Sequence, residues 1–251
     1  MKLLYVTVVL ALLVACDQGW KPPENPDPKQ ILDEAQSDFK EQRYEDALAK
    51  HVWFHDHALE YEPSKMYGVR LSFALSYWKQ LGDVYPPALK TLKMIRGNKS
   101  DLVAQGKGNR NLFHDVMALN RTLGEDNRTV ELFRMLDQNQ PDLAKQCWSI
   151  SKKTIFDANA YDLVKKYIEN LVSEFDSVKE IYDRNKAMYG GENFGESFES
   201  YNENSFVDAT INLINVAVAI DDIAAAKEIQ KRAISILNVP RLTDAIPTET
   251  K

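Results

Sequence analysis

The sequence predicts an all-α fold, a solenoid of about five helical hairpins, and three observations predict it. Apolar residues recur at helical spacing from Gln30 almost to the end of the chain. No stretch shows the strict alternation of a half-buried strand. Short polar turns, at Arg43, Gly82, Gly124, Asp157 and Asp221, cut the helical stretches into pairs.

The chain opens with a different kind of segment. Lys2 supplies a short positive region and Leu3 to Leu13 an apolar run, closed by Val14, Ala15 and Cys16. The apolar stretch through Ala15 is 13 residues long, whereas a membrane-spanning helix needs roughly 20. Asp17-Gln18-Gly19 then ends it. A cleavable export signal has this layout, and small residues placed directly before a cysteine resemble the lipobox of bacterial lipoproteins. That resemblance implies that residues 1–15 are a signal peptide and that Cys16 is the acylated first residue of the mature chain. Several acyl tails anchor stably where one is marginal. In enterobacterial lipoproteins an aspartate after the cysteine resembles the inner-membrane retention signal, so Asp17 favours that membrane.

From Asp17 to Lys29 the chain carries Pro22, Pro23, Pro26 and Pro28 with few apolar residues. This predicts an extended tether over 16–29, reaching about 40 Å from the bilayer at most. The helical domain then spans 30–237. Ile31, Leu32, Ala35 and Phe39 share one helical face. A turn at Gln42-Arg43-Tyr44 leads into a second helix, Glu45 to Tyr61, stopped by Pro63. At 100° per residue, Ala47, Leu48, His51, Val52, Phe54, His55, Ala58 and Leu59 fall in one arc, the expected buried face. A third helix is predicted from an N-cap at Ser64 to Leu81, and a fourth from Pro86 to Arg96. Gly97 to Asn109 reads as loop. Leu112–Leu123 and Asn127–Gln138 form the next hairpin, then Asp142–Phe156 and Ala160–Leu171. Ser173 to Tyr189 is helical, and Gly190 to Gly195 interrupts. Ser205–Ile220 and Ile223–Leu237 close the array. With Pro240 and Pro247, residues 238–251 are predicted to form a loosely ordered tail.

Helix, short turn and helix ending at a proline is the plan of a tetratricopeptide unit, and Ala226 and Ala233, seven apart, resemble its second-helix pattern. The turns lie 39, 42, 33 and 64 residues apart, against about 34 in a regular array. Residues 30–237 therefore resemble a degenerate tetratricopeptide-like array, which implies a right-handed solenoid whose concave face binds a partner. The alternative is an irregular helical bundle. Lipobox, Pro-rich tether and hairpins together are similar in plan to the tetratricopeptide lipoproteins of the outer-membrane β-barrel assembly machinery.

Composition narrows the function. There are 31 Lys and Arg against 37 Asp and Glu, and the longest basic patch, Lys107-Gly108-Asn109-Arg110, is short. Nucleic acid and anionic lipid are not expected partners. With Cys16 acylated, Cys147 stands alone beside Ala144, Trp148 and Ile150, which suggests a buried, inert thiol. No G-x-S-x-G, P-loop, H-E-x-x-H or paired-cysteine motif occurs, so neither catalytic residues nor a cofactor are predicted. Three of the four histidines are His51, His55 and His57. An i, i+4 pair such as His51/His55 can share a metal ion, with His114 or a carboxylate as the only further ligands to suggest. The competing reading is two hydrogen-bonded core histidines. Tyr67, Arg70, Ala74 and Tyr77 form a stripe suited to a carboxylate or peptide, or to helix packing. Asp208, Asn212 and Asn215 form a polar stripe that could bond a partner's backbone, or face water. The sequence thus predicts a membrane-tethered scaffold binding another envelope protein or peptide through Tyr67, Arg70, Tyr77, Asp208, Asn212 and Asn215. A metal- or small-ligand-binding lipoprotein using His51/His55 is the alternative.

Overall fold

The computed structural model describes residues 19–189 and 195–246, and these hold thirteen helices and no strand. Cys16, Asp17 and the predicted signal peptide lie outside the described residues, as do 190–194 of the glycine-rich interruption and the last five residues. None of the described helices is long and apolar enough to cross a membrane. The chain divides into two compact units, Met1–Met94 and Ile95–Lys251.

In the first unit, α1 (Pro28–Lys40) starts where the Asp27 carboxylate accepts from the Lys29 and Gln30 N–H groups, with Pro28 preset for the first helical position. α2 is Tyr44–Tyr61. α3 (Pro63–Arg70) and α4 (Phe73–Val84) replace the single third helix predicted from the sequence. The Ser72 N–H reaches only to the Val69 carbonyl, at 3.3 Å, and its hydroxyl donates back to the Gly68 carbonyl at 2.7 Å. These local bonds compete with the regular ladder and break the helix. α4 packs on both α1 and α2, burying Leu75, Trp78 and Leu81 with Ile31, Leu32, Ala47, Phe54 and Ala58.

The turn expected at Gly82 is not there. α4 runs through Gly82 to Val84, and a Cβ on Gly82 would stand 3.0 Å from the Leu89 Cβ. That glycine serves close approach to α5 (Pro86–Ala104), and the chain turns at Tyr85 before Pro86. α5 also runs through Gly97, so the predicted loop contracts to Gln105–Asn109.

The second unit contains the end of α5, then α6 (Arg110–Thr122), α7 (Asn127–Asn139), α8 (Pro141–Asp157), α9 (Tyr161–Tyr167), α10 (Leu171–Tyr189), α11 (Gly195–Ala219), α12 (Ile223–Ile236) and α13 (Pro240–Thr243). From α6 onward the main contacts join helices adjacent or next-but-one in sequence. One cluster runs from Phe113, Phe133 and Cys147 through Val164 and Phe175 to Ile214, Ala226 and Ala233. The segment read as a loose tail departs from expectation. Leu242 and Ile246 are buried in this cluster, and the Gln230 amide donates to the Leu242 and Thr243 carbonyls at 2.9 and 3.0 Å.

Five turns share one backbone device. Gln42, Gly106, Gly124, Asn159 and Asp221 have positive φ, between 54° and 76°. In each, that residue's N–H donates three residues back and the following N–H donates five back, as in Gly124 to Arg121 and Glu125 to Asn120 at 3.0 and 2.8 Å. This is the Schellman helix ending. Gly124→Ala should lower stability by about 1–2 kcal/mol through left-handed strain. Gln42→Gly should instead raise it by up to about 1 kcal/mol, because only the native turn then becomes strain-free. Chemical unfolding midpoints followed by far-UV circular dichroism check both.

Candidate functional site

Buried ionisable side chains concentrate in the first unit, as Asp38, Lys50, His51, His55 and Arg70. The inner arc of α2 brings Lys50, His51 and His55 inward, while Arg70 is carried to the end of α3. The Lys50 ammonium lies 2.6 Å from the Asp38 carboxylate of α1, itself only 3% exposed, and 3.2 Å from Glu34. Arg43, in the α1/α2 turn, adds a second cation on Asp38. Removing either buried partner would strand a charge in a poorly solvated seam.

His51 and His55 both meet Trp78. The His51 ring lies nearly parallel to the indole, with centroids 6.0 Å apart and planes at 13°, and His55 meets it edge-on at 6.0 Å. Trp78 is fixed in turn by its indole N–H, which donates to the Ala88 carbonyl at 3.1 Å. The core placement predicted for these histidines agrees with the structure, but the predicted hydrogen bonding fails at His51: both of its ring nitrogens are buried and have no hydrogen-bond partner among the described residues. Burial pushes the His51 imidazole down from 6.5 to about 4, so the ring is neutral at pH 7. Among the described residues no group of three or more His, Cys, Asp or Glu is arranged to hold a metal ion.

The Tyr67–Tyr77 stripe is divided by the break between α3 and α4. Tyr67 and Arg70 lie on α3, Ala74 and Tyr77 on α4. Arg70 is buried at 4% exposure and donates to the His55 carbonyl at 3.4 Å, while Tyr67 and Tyr77 are half-buried. On α11, Asp208 is exposed and pairs with Arg241 at 2.6 Å; Asn212 and Asn215 are half-buried. Arg241 therefore turns part of that polar stripe toward the chain's own α13.

A small apolar groove of about 90 Å³ lies between α10 and α11, lined by Val178, Ile181, Tyr182, Ser205, Phe206 and Ala209. At its edge, the Asn185 amide donates to Asn202 and the Asn202 amide to the Tyr182 carbonyl, each at 3.1 Å. Ile181, Met188 and Tyr201 stand exposed on these two helices. Sequence periodicity does not expose this feature, because it depends on how α10 packs on α11, and the helix expected from Ser205 leaves out Tyr201 and Asn202. Cys147 is fully buried, and burial raises its thiol to about 11, which matches the inert thiol expected.

No protein-family model matches the chain, and comparisons with curated proteins and with solved structures likewise find no match.

The His51 geometry has a definite acid dependence. Above pH 6.5 the imidazole is neutral in the folded and unfolded chains alike, and the burial has no pH-dependent penalty. As pH falls below 6.5, the unfolded chain takes up the proton first, so stability declines until about pH 4, by about 3 kcal/mol in total. His51→Phe keeps a ring on Trp78 and removes this proton, so its unfolding midpoint should fall correspondingly less than the wild type's between pH 7 and pH 4.

Proposed function

We propose that this protein is a membrane-tethered cell-envelope lipoprotein whose helical array binds another envelope protein or an extended peptide. The leader and Cys16 support the anchor, and Asp17 favours the inner membrane. The repeated helix pairs and their near-neighbour packing in the second unit support a hairpin array of tetratricopeptide type. The observation that carries the binding role is the α10/α11 groove, apolar inside, edged by amides, and flanked by exposed Ile181, Met188 and Tyr201. Exposed apolar side chains around such a groove give a partner's apolar side chains a place to bury, and amides bond its backbone. The predicted contacts Tyr67, Arg70, Tyr77, Asp208, Asn212 and Asn215 belong to the same proposal as secondary positions.

A second reading, a small-ligand or metal site at His51/His55, has one observation in its favour: the two buried, unpartnered ring nitrogens of His51. Metal analysis of the chain purified without a histidine tag separates the two readings. One bound ion lost in His51→Phe would favour the second.

A photo-crosslinking residue at Ile181 or Tyr201 in the native lipoprotein is expected to capture one dominant envelope protein in cells. A Cys16→Ala chain, which cannot be acylated, should lose that adduct. Absence of a dominant adduct from either position would overturn the scaffold reading.

A further inference from the structure

The start of the described chain does not run free. The Trp20 N–H donates to the Asp46 carboxylate of α2 at 3.3 Å. The Trp20 indole meets Trp53 edge-on at 6.3 Å between centroids, and the Lys50 ammonium sits 5.7 Å from the Trp20 ring. Lys50 is itself locked by Asp38 and Glu34 of α1, so Trp20 is seated on a fixed cation rather than on a mobile side chain. Trp53 continues the aromatic surface along the outer face of α2, with His57 and Tyr61 at 5.7 and 5.8 Å, and Tyr61 is half exposed. These positions run along one flank of the arc that buries Ala47, His51, Phe54 and Ala58, and Trp53 is half-buried, packed against the cluster of Leu32, Phe54, Ala58 and Met66.

This placement corrects the long tether expected from the prolines. Only residues 17–19 separate Cys16 from the docked Trp20. Four Cα steps reach at most about 14 Å even when fully extended. An acylated Cys16 stays at the level of the headgroups, so Trp20 and the rings beside it cannot leave the vicinity of the membrane surface. Trp and Tyr, with apolar bodies and polar edges, are the side chains best suited to that layer. The charges around the rings include Asp46, Asp56 and Glu60 as well as Lys50 and Lys21, which provides no attraction for an anionic surface.

We infer that the outer face of α2, with Trp20, Trp53, His57 and Tyr61, is a membrane-contact surface that rests on zwitterionic phospholipid headgroups. The inference builds on the acylation of Cys16 and adds that the lipid anchor fixes the first unit's orientation on the bilayer, with α2 outer face down. The Pro22–Pro28 segment is then a strap along the unit rather than a spacer.

The full acylated chain, reconstituted in phosphatidylethanolamine–phosphatidylcholine vesicles containing a headgroup-nitroxide phospholipid, tests this by tryptophan quenching. The four tryptophans are Trp20, Trp53, Trp78 and Trp148, and Trp78 is only 1% exposed. Quenching should fall by about half in each of Trp20→Phe and Trp53→Phe, be nearly lost when both are replaced, and persist in Trp148→Phe. Adding phosphatidylglycerol should not strengthen it. A bimane on Tyr61→Cys, read with the same quencher, provides the result independently if a tryptophan variant fails to fold. Vesicle-bound chain whose Trp20, Trp53 and Tyr61 positions are not quenched overturns the contact while leaving the anchor intact, as expected if a protein covers that face instead. A mature N-terminal peptide without acyl groups on Cys16 overturns the anchor, and the contact with it.

Discussion

Helix ends constrain this molecule more tightly than helix interiors do. Each helix that stops leaves its last carbonyls unsatisfied, and most of these helices stop next to another helix rather than in open solvent. At Gln42, Gly106, Gly124, Asn159 and Asp221 the solution is the same: one residue crosses into the left-handed region so that two N–H groups turn back onto the waiting carbonyls. The paired helices α1/α2, α6/α7 and α11/α12 all follow from that geometry. Only two of the five residues are glycine. Gln42, Asn159 and Asp221 carry a side chain at an unfavourable φ, which the packing on either side of the turn must offset. Other joints use the complementary device, a proline at the first turn of the next helix, in α3, α5, α8 and α13. Proline has no N–H to leave unsatisfied there.

That division explains what could be read from the sequence. The turns at Gly124-Glu125-Asp126, Asp221-Asp222 and Gln42-Arg43 are legible because polar residues interrupt a clear 3.6-residue period, and the helix ends that meet at these turns lie within a few residues of those expected, although α11 starts ten residues earlier, at Gly195. Glycine elsewhere misled, since the same residue marks a turn or a close approach of helices, and sequence alone does not separate the two. Gly82 is the second case, packed against Leu89 inside a helix. The break between α3 and α4 contains no glycine or proline at all. It arises from Ser72 bonding back to Gly68, a competition invisible to periodicity because Ser is common in helices as well. The tail expected over 238–251 differs for a related reason: Pro240 and Pro247 suggest disorder, but Leu242 and Ile246 are buried in the second unit's core cluster.

The candidate sites were legible only as residue types. His51 and His55 fall on the apolar arc of α2, and their burial against Trp78 follows from that arc. What the arc could not reveal is that the His51 nitrogens would lack partners, because this depends on which side chains α1 and α4 bring to the same place. A buried polar atom without a partner opposes folding by roughly 1–3 kcal/mol. The stack on Trp78 and the surrounding apolar contacts have to outweigh it. Arg70 shows the opposite limit. Its stripe with Tyr67 and Tyr77 assumed an unbroken helix, and the break after Leu71 swings Arg70 inward onto the His55 carbonyl. Arg70, His51 and His55 thus place a polar region inside the first unit.

The same elements connect the buried cluster to the outer surface. Lys50 belongs to both: its ammonium is neutralised inside by Asp38 and Glu34, and its upper side faces the Trp20 ring. A lysine held this way is a rigid cation, and a rigid cation under an indole retains more of the attraction than a solvated, mobile one. The ion pair that joins α1 to α2 therefore also fixes the point where the N-terminal strap meets the unit. If the strap were released, Trp53 would lose its edge contact and Lys50 its outer cover, admitting water to the Asp38 pair and weakening the hairpin it joins. Strap and hairpin are thereby joined, and the position of Trp20 on the unit is set by its contacts with Asp46, Lys50 and Trp53.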